Sequence, residues 1–177
     1  MSQAEQELIK EIRQPRSGVE PRLVYADWLE ERGDRRAEYL RAEVAFAGSN
    51  VGAAFLGGLV GAKNAFDLHQ QKFVELNELR LAIDPDWAEE ISSFFDFLIL
   101  SFGRKKLSAV KVVKAVTDGS LMSCKLLTES APAVVLKGWT FPSVAPLMKN
   151  LMQADFLEDA LFSVQGTDLM AHNQHTY

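Results

Sequence analysis

One cysteine, Cys124, stands among 177 residues, so no internal disulfide can form and a reducing compartment fits. Long apolar runs are missing too: no stretch approaches the roughly 20 residues that cross a bilayer. The opening MSQAEQELIK is polar and acidic where a secretory signal would be basic and then apolar. The expectation is a cytoplasmic protein, neither exported nor membrane-spanning. Net positive charge is also lacking. A formal charge of −5 argues against generic nucleic-acid affinity, because phosphate neutralisation needs clustered cations. No phosphate loop, nucleophile elbow, zinc pattern or dinucleotide fingerprint is present. No enzyme active site is therefore legible, and no cofactor or metal is expected.

What is present is ordinary globular material, 47% hydrophobic and 24% charged, unevenly distributed. Residues 1–92 carry 17 acidic and 11 basic side chains, net −6, whereas residues 93–177 carry 7 and 8, net +1. Within the second half, Arg104, Lys105, Lys106, Lys111, Lys114 and Lys125 face one acid, Asp118, over a span of 22 residues. An acidic chain thus holds a local basic patch.

Helical spacing dominates the first half. Leu8, Ile9 and Ile12 share a face before Pro15 and Gly18 interrupt. Pro21 suits the first position of a second helix that stops at Gly33, with Leu23, Val24, Trp28 and Tyr25 as its expected buried face. Asp34 caps a third helix bearing Ala37, Leu40, Val44 and Ala45. The stretch NVGAAFLGGLVGA holds four glycines and reads as a mobile loop or a frayed helix. Its Gly57–Gly61 spacing matches a helix-dimer motif on a run too short to span a membrane. A long helix follows over 64–83, with Phe66, Phe73, Leu76, Leu79 and Ile83 aligned. Asp84-Pro85 then opens a short helix carrying Trp87.

After Ser92-Ser93 the period changes to FFDFLILSF, an apolar run of strand length. Helices over 107–116 and 120–129 follow, the second capped by Ser120; then a short AVVL strand, a helix over 142–153 and a last strand over 160–164. The fold class is α+β: a helical module over 1–92 and a β-α-α-β-α-β domain with a three-stranded sheet over 93–165. Residues 166–177 are expected to be a disordered tail. The two-serine junction leaves little linker and favours packing of the halves.

That element order, with FDFLILSFGRKKLSAVKVVKAVTDGSLMSCKLLTESAPAVVLKG, resembles the C-terminal domain of the bacterial ribosomal stalk protein. The shared features include the opening Phe-Asp, Gly103, the Lys106–Lys111–Lys114 series, Leu121, Lys125 and Glu-Ser-Ala-Pro at 129–132. The resemblance implies a non-catalytic hook that recruits translational GTPases through its first two helices. Carried over by position, the partner-binding face comprises Lys106, Leu107, Val110, Lys111, Lys114, Leu121 and Lys125. Lys111 and Lys114 project together at i and i+3, which suits an acidic, partly apolar partner. Met122 stands where lysine is usual and Ser120 where glycine is usual; the stalk family's N-terminal dimerisation helices and hinge are missing. Separately, PRLVYADWLEERGDRRAEYLRAE resembles the repeat-companion domain of multidomain bacterial proteins, a family that implies an adaptor without an established activity.

Other candidates have bland readings. Asp27, Glu30 and Glu31 form an acidic cluster that reads as a solvated, ion-paired face rather than a general acid/base group. His172 and His175 have metal-like spacing without an evident third ligand. His69 is isolated, Cys124 reads as a packed thiol, and Trp28, Trp87 and Trp139 read as core anchors. The leading function is a protein–protein adaptor with a protein partner, a GTPase by resemblance or another component of a bacterial multicomponent system. The rivals are an RNA- or ribosome-binding protein and an enzyme subunit with an unrecognised site.

Overall fold

The structure, a computed structural model, describes residues 2–14, 18–49, 59–152 and 161–166. The glycine-rich 50–58 segment, the expected 166–177 tail apart from Gly166, and His172 and His175 lie outside the described residues. In chain order the elements are α1 (Gln3–Ile12), α2 (Glu20–Glu30), α3 (Arg36–Ala47), α4 (Leu59–Leu81), α5 (Pro85–Ile91), β1 (Phe94–Ser101), α6 (Lys106–Val116), α7 (Leu121–Glu129), β2 (Ala133–Thr140), α8 (Phe141–Met152) and β3 (Leu161–Gly166). The architecture is α+β: helices first, then a three-stranded antiparallel sheet with helices around it.

Local chemistry sets the helix ends. Ser2 accepts a hydrogen bond from Glu5 N, Asp84 Oδ1 one from Trp87 N at 2.8 Å, and Ser120 Oγ one from Ser123 N at 3.1 Å. Each satisfies a donor that the first helical turn leaves orphaned. Gly33, at φ 67°, turns the chain out of α2, and Asp34 N reaches back to Leu29 O at 3.0 Å. The buried face of α2 differs from the expected one. Arg22, Tyr25, Ala26 and Leu29 point inward, while Leu23 and Val24 are exposed and Trp28 is half-buried. The inward stripe is helically regular, but it contains an arginine and so is hidden from a search for apolar residues alone. In α3, likewise, Tyr39, Glu43, Phe46 and Ala47 join Ala37 and Leu40 inside, and Ala45 is exposed.

The sheet order is β2-β1-β3, which places the most apolar strand in the centre. Phe95, Phe97 and Ile99 alternate along β1 and are fully buried on one face. β2 runs to Thr140, four residues beyond the expected AVVL segment, because two irregularities accommodate extra residues opposite β1. At the first, Gly138 takes φ 65° and its N–H donates to Asp96 Oδ1 at 3.0 Å. Lys137-Gly138 therefore continues the strand through a bulge instead of ending it.

Between the halves lies an aromatic joint. Phe46 of α3 packs on Phe73 of α4, Phe95 of β1 and Phe141 of α8 at centroid distances of 6.2, 5.8 and 5.6 Å. Beside it, fully buried Glu43 accepts from Ser92 Oγ at 2.6 Å and from Ser93 N at 2.8 Å; Ser92 Oγ accepts from Phe141 N at 2.9 Å. A buried carboxylate costs several kcal/mol unless donors surround it, and the Ser92-Ser93 junction supplies them. His69 adds a third tie: stacked on Phe46 at 4.5 Å, it places Nδ1 2.8 Å from Ser49 Oγ and Nε2 3.4 Å from Ser163 Oγ of β3. The histidine that looks isolated in sequence joins three elements. Burial pushes its pKa down to about 4, with the Lys72 charge acting the same way and a bond to the Val164 backbone opposing.

Candidate docking surface

Two antiparallel-packed helices, α6 and α7, form the surface that the basic residues occupy. In α6 the inward residues are Ala109, Val110, Val112 and Val113, and in α7 they are Cys124 and Thr128. That inward set fixes what remains outside. Leu107 is 79% exposed, Leu121 66%, Met122 65% and Leu126 59%, values high enough to make each an available contact rather than a core residue. Lys111, Lys114 and Lys125 are exposed among them.

Most of the expected partner-binding residues are thus displayed, with one correction. Val110 is buried at 3% and packs inside the domain, so it offers no surface contact. A valine one residue before Lys111 looks adjacent in sequence, but on a helix that step is a rotation of about 100° and points the side chain inward. The apolar part of the surface comes instead from Leu107, Leu121, Met122 and Leu126. Met122 and Leu126 were legible: placing Cys124 and Thr128 inward leaves 122 and 126 outward at i and i+4.

Charge on this surface is partly organised. Lys106 pairs with Glu129, and Lys125 approaches the same carboxylate at 3.9 Å, so Glu129 joins the start of α6 to the end of α7. The Lys106 hydrogen bond holds the Glu129 carboxyl below its usual range. Lys114 Nζ donates to Gly119 O at 2.8 Å across the turn. Cys124 is buried beside Thr117 and behaves as a packed thiol.

The other candidates resolve into structure. Arg41 clamps Asp27 at 2.6 Å and Glu30 at 2.7 Å, which explains the acidic cluster of α2 as an ion-paired face. Trp87 is buried and donates to Tyr25 Oη at 3.2 Å; Tyr25 in turn donates to Glu5 Oε1 at 2.9 Å, which Arg36 also meets at 2.9 Å. Burial works to raise the Glu5 carboxyl, but the Tyr25 hydroxyl and the Arg36 charge outweigh it and hold it low. Trp28 is half-buried under the Arg32 guanidinium at 3.8 Å, and Trp139 is 41% exposed, so only Trp87 of the three is a core anchor. Among the described residues no group of three His, Cys, Asp or Glu side chains could hold a metal, and no helix is long and apolar enough to cross a membrane.

Residues 95–154 match the family model of the ribosomal protein L7/L12 C-terminal domain. Over 67 residues the chain is 39% identical to large ribosomal subunit protein bL12 of Coprothermobacter proteolyticus, covering 38% of this chain and 54% of that protein. It is 37% identical to bL12 of Yersinia pestis strain Pestoides F over 67 residues, 38% of this chain and 55% of that one. The chain spans about half the length of the curated relatives it matches. The C-terminal half is therefore similar to a stalk domain in sequence.

Proposed function

We propose that this protein is a non-catalytic adaptor whose helical first half carries a stalk-like domain that docks a protein partner, a GTPase, through α6 and α7. The observation that carries this reading is the exposure of Leu107, Leu121, Met122 and Leu126 among Lys111, Lys114 and Lys125. Isolated exposed leucines need no explanation, but four large apolar side chains on two adjacent helices mark an interaction site. Their lysine frame selects an acidic partner surface and speeds encounter. The bL12 relatives are named as large ribosomal subunit proteins, and a translational GTPase, the partner that the stalk resemblance implies, is the first to try.

The test is binding to a purified translational GTPase loaded with a non-hydrolysable nucleotide, comparing the intact chain with Lys111→Glu/Lys114→Glu. Both proteins are first shown to be folded by circular dichroism. Loss of two charge contacts predicts at least about a tenfold weaker complex. Equal binding by both proteins would move the docking surface elsewhere. A competing RNA reading rests on the same lysines and is distinguished by titrating RNA: an affinity that collapses as salt rises, with no GTPase binding, would favour it.

A further inference from the structure

A second surface, of the opposite charge, lies on the helical half. α4 exposes Asp67, Gln71, Val74, Glu75 and Glu78, positions that recur at three- and four-residue steps and so share one side of the helix. With Met152 at the end of α8 they line an open cleft of about 450 Å³. Its apolar surface is Val74, 44% exposed, and Met152, 37% exposed; its rim is carboxylate. Among the described residues no cation pairs with Glu75 or Glu78.

We propose that this cleft receives the α6–α7 face of a second copy of the same chain. The proposal rests on the reading of α6–α7 as a docking surface and names an occupant for it. The two faces are complementary: leucines framed by Lys111, Lys114 and Lys125 on one, Val74 and Met152 framed by Asp67, Glu75 and Glu78 on the other. Within one copy α4 packs on α3 and α5 while α7 packs on β2, so the faces belong to different halves of the molecule and pair between copies. The residue counts agree, with net −6 over 1–92 and net +1 over 93–177. Because the joined surfaces differ, the contact is head-to-tail. Such a contact extends into open chains or closes into rings and does not stop at a symmetric dimer.

Sedimentation velocity at low ionic strength over a concentration series tests this with the full chain and two double variants, Glu75→Lys/Glu78→Lys and Lys111→Glu/Lys114→Glu. Both exposed pairs of side chains lie away from the core, and circular dichroism checks that each variant is folded. The intact chain is expected to gain mass with concentration beyond a dimer, and each variant alone to associate at least about tenfold more weakly. Mixed together, the two variants should associate again, through the retained α6–α7 face of one and the retained α4 cleft of the other, with the two reversed faces complementary in charge as well. A chain that stays monomeric, or variants that fail to combine, overturns the proposal. If only the lysine variant loses self-association, the α4 cleft is wrong while the α6–α7 surface stands. Loss of self-association by the lysine variant with GTPase binding intact separates the two readings in the other direction: the pairing stands and the GTPase docking surface does not.

Discussion

The helical half and the stalk-like half treat polar groups in opposite ways. In the first, the charges around α1 to α3 are paired internally: Arg41 holds Asp27 and Glu30, Arg36 holds Asp34 and Glu5, and Glu43 is sealed beneath Ser92 and Ser93, while α4 keeps Glu75 and Glu78 outward. In the second, the largest apolar side chains of α6 and α7 face water beside lysines. A segment that satisfies its charges from within is built to hold a shape. One that leaves leucines and cations outside keeps a surface that only a partner completes. On the proposed reading the halves have different duties: α1 to α3 brace the sheet, and the hairpin of α6 and α7 meets the partner.

The sharpest way to break that contrast is to cut the brace. Phe46→Ala removes the ring that contacts Phe73, Phe95, Phe141 and His69 at once and leaves a cavity between the halves. Truncation of a fully buried phenylalanine costs about 3–5 kcal/mol. Urea denaturation followed by tryptophan fluorescence should show a single transition shifted by that amount. Were the sheet domain to keep its stability while the helices melted, the joint would not be bracing it.

Acid should weaken the same joint by a smaller amount. His69 has a folded pKa near 4 against 6.5 when unfolded, so between those values the unfolded chain binds the extra proton and stability rises with pH. The contribution is fully present above about pH 6.5 and is lost as pH falls toward 4, about 3 kcal/mol in all at 1.36 kcal/mol per unit. Glu5, held below 4.5, begins to add its own loss only below that value. His69→Phe, which keeps a ring on Phe46, should flatten the slope of unfolding free energy between pH 4 and 6.5. An unchanged slope would place the titration elsewhere.

Element types were legible wherever period and punctuation agreed. Asp84-Pro85, Ser120 and Gly33 each mark a boundary through a bond or a backbone angle that the residue type permits, and β1 follows from an apolar run long enough for one central strand. Hidden were the features that depend on a distant partner. Glu43 is polar and is buried only because residues 49 and 50 positions away supply donors. Gly138 resembles a strand terminator until Asp96 from the neighbouring strand takes its N–H. Of the proposed docking face, the exposure of its lysines was legible, because sequence displays them directly. Its apolar part was misassigned at Val110, because sequence proximity to Lys111 stood in for rotation about the helix.

The smallest effect on stability discriminates most between the two halves. Leu107→Ala/Leu126→Ala removes side chains that are 79% and 59% exposed, so little apolar surface returns to water on unfolding. Surface changes away from structural features usually fall within about 0.5 kcal/mol, so the denaturation midpoint should barely move. Partner binding should respond differently, since apolar side chains at the centre of an interface each contribute about 1 kcal/mol or more when truncated. Measured by titration against the GTPase, the double variant should bind at least about tenfold more weakly while unfolding like the parent. If stability falls by several kcal/mol instead, the leucines belong to the core. If neither quantity changes, the exposed apolar face is solvated surface, and the contrast between a bracing half and a docking half fails on the docking side.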